Sequence, residues 1–255
     1  FMNNPDEETA VEQFGKGDKY FGICTMMVTI PGLPMFGHGQ IEGYGEKYGM
    51  EYRQSYLDEK PDAQLVERHE REIFPLLHER TLFAGVENFV LYDFFTPEGN
   101  VEENVFAYSN RVGDRRALIL YHNRYAETRG WVRTSVAYAV KDESGDKHLV
   151  QRSLSQGLGF PGGADHYVSV RDMVDDLEDI RNAQILNDQG LYAELHACQV
   201  HVFTDFRVVR DSGWQRYGEL HDRLEGKGVP DIDEVLRSLY LEPLHASYTR
   251  LIDAS

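Results

Sequence analysis

The residue best placed to do chemistry stands six positions into the chain. In "FMNNPDEETAVEQFG", Asn4 and Asp6 flank Pro5, and two readings of the run are open. In one, Asn4 caps a helix, Pro5 takes the first helical position where its missing N–H costs nothing, and Gly15 ends the helix. In the other, Asp6 is a carboxylate held at the end of a strand, in a catalytic pocket. The two are compatible, because a residue leaving a strand for a helix can both cap and react. Tyr44 and Tyr48, in the glycine-dense run "GHGQIEGYGEKYGM", offer flat aromatic faces for stacking on a ligand or for packing. That run lacks the Gly-Lys-Ser/Thr ending of a phosphate loop, and Glu42 and Glu46 stand where phosphate would sit.

Other clusters carry less. His69, Glu70, Glu72 and His78 in "RHEREIFPLLHER" do not have the i, i+4 histidine spacing of a helical zinc site, and Pro75 intervenes. A solvated helix is the expectation there. His122, Glu127 and Trp131 in "YHNRYAETRGW" read as strand-edge residues ahead of a sugar site. Cys24 and Cys198 stand too far apart for a disulfide framework or a zinc motif to be drawn from them, so two free thiols are expected.

The elements that must position these residues fall into three textures. Residues 1–85 read as helix, strand and helix: helices near Pro5–Phe14 and Gly17–Thr29, a short buried strand at Leu33–Phe36, and an amphipathic helix at Asp62–Glu72. That last helix puts Leu65, Val66, His69 and Ile73 on one face, and Pro75 kinks or ends it. Residues 86–210 hold at least seven short aromatic and β-branched runs, among them "NFVLYDFF", "RALILYHN", "HYVSVRD" and "CQVHVFTDFRVV". Clusters such as "TPEGN", "DESGD" and "PGGAD" separate them, the spacing of an antiparallel β-sandwich. Residues 211–255 are helical by period, from Trp214 to Leu224 and from Asp231 to Leu251, with a kink expected at Pro243 and packing expected against the sandwich.

Composition bounds the function. Hydrophobic residues make up 41 % of 255, with 13 Phe, 15 Tyr and 2 Trp, so the chain is expected to fold around a substantial core. The formal charge of −17, from 43 acidic and 26 basic residues, opposes nucleic acid as a partner, since phosphate contacts need Lys or Arg. A neutral substrate such as a sugar is not repelled. The apolar run from Ile23 to Pro34 is broken by Thr, Pro and Gly and is shorter than the roughly 20 residues of a membrane helix, so no membrane association is expected. A cytoplasmic location is the working expectation, with export left open because the chain begins without an initiator Met.

Three stretches, taken in order, resemble the α-amylase superfamily, glycoside hydrolase family thirteen. "FMNNPD" is similar to the Phe-x-x-Asn-His-Asp end of that family's seventh barrel strand, with Phe1, Asn4 and Asp6 in place and Pro5 where the His would be. "PGLPMFGHGQIEGYGEKYGM" is similar to its eighth, and "ENVFAYSNRVGDRRALILYHNR" to the start of the all-β domain that follows the barrel. The order and spacing agree over about the first 125 residues. The resemblance implies an α+β chain: a partial (β/α)₈ barrel (its last two strands and helices, residues 1–85), an antiparallel β-sandwich (86–210) and a helical C-terminal tail (211–255).

It also implies a retaining glycosidase acting on an α-glucan or oligosaccharide. Asp6 would be its transition-state stabiliser, with Asn4 and Tyr44 touching substrate. The nucleophile and acid would lie on barrel strands four and five, in a missing N-terminal barrel portion of the same polypeptide, and the chain by itself would be inactive. No cofactor is expected and no metal site is assigned, although the parent enzyme could use calcium. Pro5 puts the usual histidine–sugar contact in doubt. The rivals are a barrel relative that has lost its carboxylates and serves as a binding or chaperone subunit, and a complete carbohydrate-binding module with no barrel ancestry.

Overall fold

The computed structural model describes residues 1–47, 54–142, 144–212 and 216–253, those from 246 onward by backbone alone. Two short helices open the chain, α1 (Ala10–Phe14) and α2 (Asp18–Thr29). They are followed by α3 (Ala63–Arg68), a turn of π-helix at His69–Ile73, α4 (Phe74–His78) and α5 (Arg80–Phe83). The strands are β1 (Val90–Phe95), β2 (Val105–Val112), β3 (Arg115–His122), β4 (Thr128–Ser135), β5 (Tyr138–Lys141) and β6 (Lys147–Val150). After α6 (Leu154–Leu158) come β7 (His166–Asp172), β8 (Leu177–Asn182), α7 (Ala183–Gln189), β9 (Leu191–Leu195) and β10 (Val200–Arg210). Helices α8 (Tyr217–Leu224) and α9 (Ile232–Asp253) close the described chain.

Eight strands form one antiparallel sheet in the order β8-β7-β10-β3-β2-β1-β4-β9, and β5 and β6 pair separately as a hairpin. The expected sandwich of two sheets is therefore corrected to one curled sheet. The edge strands β8 and β9 are consecutive and are joined only by α7. Its seven residues span about 10 Å at 1.5 Å per residue, which the two edges of a flat eight-stranded sheet could not do. The sheet curls until its edges face each other, an open half-barrel. Sequence alternation matches inward against outward positions well but does not say whether the outward faces belong to one sheet or two.

The concave side is filled by Tyr92, Phe94, Leu118, Leu120 and Val168, and it is plugged by Leu154 and Leu158 of α6 and Leu186 of α7. Helix α6 is held by a capping box, in which Ser153 accepts the Gln156 N–H and Gln156 accepts the Ser153 N–H. On the convex side, Tyr108, Ile119, Tyr121 and Val202 pack against Tyr20, Phe21, Cys24 and Val28 of α2. The approach is close enough that a Cβ on Gly22 would stand 2.0 Å from the Tyr121 ring. Further along the sheet, Tyr217, Leu220, Leu224, Ile232, Leu236 and Leu239 of α8 and α9 cover Tyr167 and Ile180. Helix α9 runs through Pro243, and Trp214 lies outside the described residues.

Two local expectations are corrected. The first helix begins at Ala10 and is capped by Thr9, whose Oγ1 accepts the Glu12 N–H. Residues 33–36 form no strand: Leu33 is 90 % exposed, and no neighbouring segment offers this run a ladder of hydrogen bonds. Residues 1–6 are likewise outside the sheet, so neither expected barrel strand is formed as a hydrogen-bonded strand. The amphipathic helix at 62–72 is present but does not stop at Pro75. Pro75 cannot donate to the carbonyl four residues back and its ring would clash there, and the chain widens into the π turn, with Phe74 N–H reaching His69 O. Among the described residues no helix is long and apolar enough to cross a membrane.

Candidate functional site

The two glycine- and asparagine-rich stretches, outside the regular elements, lie side by side. Met2 and Asn3 are buried, and Asn3 turns its amide toward Gly37, where a Cβ would come within 2.4 Å of Nδ2 and 2.6 Å of Oδ1. Gln40, also buried, fastens the second stretch: its Oε1 accepts the Gly37 N–H at 3.1 Å and its Nε2 donates to Met2 Sδ at 3.2 Å. From the far side, Tyr20 Oη donates to Gln40 O at 2.9 Å, and Gln13 Nε2 donates to Met2 O at 3.3 Å and Glu8 O at 2.6 Å. Segments without strand partners thus satisfy their buried polar groups through side chains.

Between the stretches lies a cavity of about 50 Å³, walled by Asn3, Asn4 and Glu7 on one side and by Gly37, His38, Glu46 and Lys47 on the other. Asn4 is half-buried, and its Oδ1 accepts the N–H groups of Asp6 at 2.9 Å and Glu7 at 3.0 Å. That is the hydrogen-bonding geometry of a cap, closing a turn where a helix was expected. Asp6 lies between Pro5 and Glu7 of that wall without lining the cavity itself; it is exposed, with its backbone oxygen held by Lys47 Nζ at 2.9 Å and with no side-chain hydrogen bond among the described residues. Tyr44 packs over Gly39 and beside His38, ring centroids 6.3 Å apart, and does not line the cavity. Tyr48 lies outside the described residues.

The loop carrying this wall is braced by two carboxylates. Glu59 accepts the N–H groups of Gly45 and Glu46, and Glu46 accepts those of Tyr56 and Leu57. Asn3 is the residue that sequence reasoning passed over. Its Oδ1 is buried without a hydrogen-bond partner among the described residues and it borders the cavity, an acceptor awaiting a donor. Nothing in "MNN" distinguishes Asn3 from Asn4; only the approach of Gly37 does.

The remaining candidates separate. His69 is fully buried, with Nδ1 2.8 Å from Leu65 O and Nε2 3.0 Å from Tyr20 Oη, so both ring nitrogens are already engaged and no metal reading survives. His122 is buried with Nδ1 3.1 Å from His196 O, Glu127 is exposed, and Trp131 packs on Tyr192 at 5.0 Å. Cys24 and Cys198 are free thiols, both buried, and burial pushes the Cys24 thiol far up.

Asp172, Asp175 and His201 form a second cluster, bordering a cleft of about 410 Å³ between β7, β8, β9 and β10. It escaped notice because the two aspartates sit 29 and 26 residues before the histidine, and only the pairing of β7 with β10 joins them.

No family model matches the chain, and no curated protein matches it. Among solved structures it is similar to the α-amylase from Geobacillus thermoleovorans, solved with acarbose, at 13 % identity and a TM-score of 0.48, covering 81 % of this chain and 34 % of that one. It is similar also to a maltogenic α-amylase from Thermotoga neapolitana, at 13 % identity and TM-score 0.46, covering 80 % and 40 %. A third is the α-amylase from H. orenii, at 14 % identity and TM-score 0.43, covering 80 % and 39 %. The chain therefore spans between a third and two-fifths of the length of these enzymes.

Proposed function

We propose that the chain is the C-terminal part of an α-amylase-like glycoside hydrolase acting on α-linked glucosides by a retaining mechanism. The observation that carries this reading is the contact between Asn3 and Gly37, reinforced by Met2 and Gln40. The sequence resemblance assigns these two stretches to adjacent barrel strands, and they are in contact although no sheet joins them. Retaining glycosidases use two carboxyl groups about 5 to 5.5 Å apart, a nucleophile and an acid. In this reading both come from polypeptide preceding Phe1, and Asp6 supplies a third carboxylate. Its charge stabilises the positive charge that develops on the sugar ring, with Asn4 and Tyr44 as further contacts to substrate.

The exposure of Asp6 agrees with a cleft whose opposite wall lies in the rest of the barrel. Pro5 stands where the family's sugar-contacting histidine would be, a departure that fits a distinct subgroup or an altered specificity.

The test is the longer polypeptide read from the coding sequence upstream of Phe1. An in-frame barrel with Asp and Glu at its fourth and fifth strand ends, and an Asp6→Asn variant slowed about 10²- to 10³-fold in kcat, are the expected results. Full activity in Asp6→Asn would overturn the assignment. Titration of the 255-residue chain alone with maltoheptaose is expected to give no binding heat, and tight binding would instead favour a self-contained carbohydrate-binding module.

A further inference from the structure

At the open end of the half-barrel, the last residue of β7 meets the start of β10. Asp172 is tucked into the concave face with its side chain 10 % exposed, and its Oδ1 accepts the N–H of Val174 at 3.0 Å and that of Val202 at 3.4 Å. Its Oδ2 lies 2.5 Å from His201 Nδ1. Asp175, in the turn before β8, brings its Oδ2 to 3.9 Å from the same nitrogen while remaining half exposed. The imidazole is held in plane by stacking on Phe203, centroids 5.5 Å apart and planes within 8°. One ligand atom from each of the three residues lies within 4.8 Å of the others.

The charge balance points to what is bound there. Asp172 and Asp175 pair with no Lys or Arg among the described residues; the one guanidinium in the cleft, Arg181, is engaged by Asp179 at 2.5 Å. Glu194 and Glu225 border the same cleft. Holding a second carboxylate beside the buried Asp172 around a single imidazole is costly unless a positive charge stands between them.

We propose that Asp172, Asp175 and His201 bind a divalent transition cation of the Mn²⁺ or Zn²⁺ class, which fastens the β7–β8 turn to β10. Two carboxylates and one imidazole suit such ions. Calcium is disfavoured, since it takes six to eight oxygens and no nitrogen. Ligand atoms around one such ion stand roughly 3 Å apart at bonds of about 2.1 Å, so the half-exposed Asp175 must swing inward while Asp172 and His201 part slightly. The ion takes the position of the Nδ1 proton, and the neutral ring then carries its proton on Nε2. The cleft leaves room for water to complete the coordination.

Mn²⁺ titration of the metal-stripped 255-residue chain, followed by loss of the free-ion paramagnetic resonance signal, is the test. One site per chain is expected, not displaced by an equal concentration of Ca²⁺. Because its side chain is half exposed, Asp175→Asn should fold normally and weaken Mn²⁺ about ten-fold or more, and His201→Gln should abolish the site. The proposal is overturned if the folded chain binds no Mn²⁺ at millimolar concentration, if neither substitution changes the affinity, or if Ca²⁺ displaces the ion.

Discussion

Tyr20 Oη lies 3.0 Å from His69 Nε2, in a place neither side chain shares with water. The other ring nitrogen faces the Leu65 carbonyl at 2.8 Å and must carry a proton, so Nε2 of the neutral ring is an acceptor that shares the single Tyr20 hydroxyl proton with Gln40 O. The same hydroxyl stands 2.9 Å from Gln40 O, which ties the π turn to the wall of the candidate site. Removing it with Tyr20→Phe leaves a buried lone pair on His69 unsatisfied, a cost of about 1–3 kcal/mol that urea unfolding would measure.

His69 also sets a pH dependence. Burial holds its pKa below the ordinary value, against the upward pull of the Leu65 carbonyl and of Glu42 and Glu72. At neutral pH the ring is uncharged in both folded and unfolded chains and contributes nothing. As pH falls below about 6.5 the unfolded chain takes up a proton that the folded one resists, so stability declines on the acid side. Unfolding midpoints between pH 7 and pH 5 should fall in the wild type, and His69→Gln should flatten part of that slope.

Gly37→Ala should be the most damaging single methyl group at the candidate site. Its Cβ would meet the Asn3 amide at 2.4 Å, so the buried Asn3 side chain would have to shift and the contact that clamps the two stretches would be lost. Overpacking of this kind costs about 1–3 kcal/mol, read as a lower melting temperature. If the loop yields without loss of stability, the two stretches are not clamped as described.

Leu120 and Leu33 make a paired test of the corrected fold. Leu120 is fully buried inside the curled sheet, and Leu120→Ala should cost about 2–5 kcal/mol. Leu33 was expected in a buried strand but is 90 % exposed, and Leu33→Ala should change stability by no more than about 0.5 kcal/mol. Chemical denaturation of the two variants decides between strand and surface loop.

Asp6→Asn should leave the fold untouched. The carboxylate makes no side-chain hydrogen bond among the described residues and is exposed, so the melting temperature should move by no more than about 2 °C. Any loss of activity in the longer polypeptide would then report chemistry and not unfolding.

The amino-acid pattern alone located β1, β2, β3, β7 and β10, because each is a run of β-branched and aromatic residues closed by a turn cluster. It located the buried face of the helix at Leu65, His69 and Ile73 by its period. It passed over β8 and β9, whose "LEDIRN" and "LYAEL" carry charge in place of a hydrophobic signal; they sit at the sheet edges, where one side of the strand needs no partner. Asn4, Asp6 and Tyr44 came as site candidates from the family resemblance and not from any local period.

Only the tertiary structure decided that the strands make a single sheet curled edge to edge, since residue alternation reports inside against outside and not closure. Only it set Asn3 against Gly37 and brought Asp172 and Asp175 to His201. Those meetings depend on long-range approach between segments, which no local period encodes.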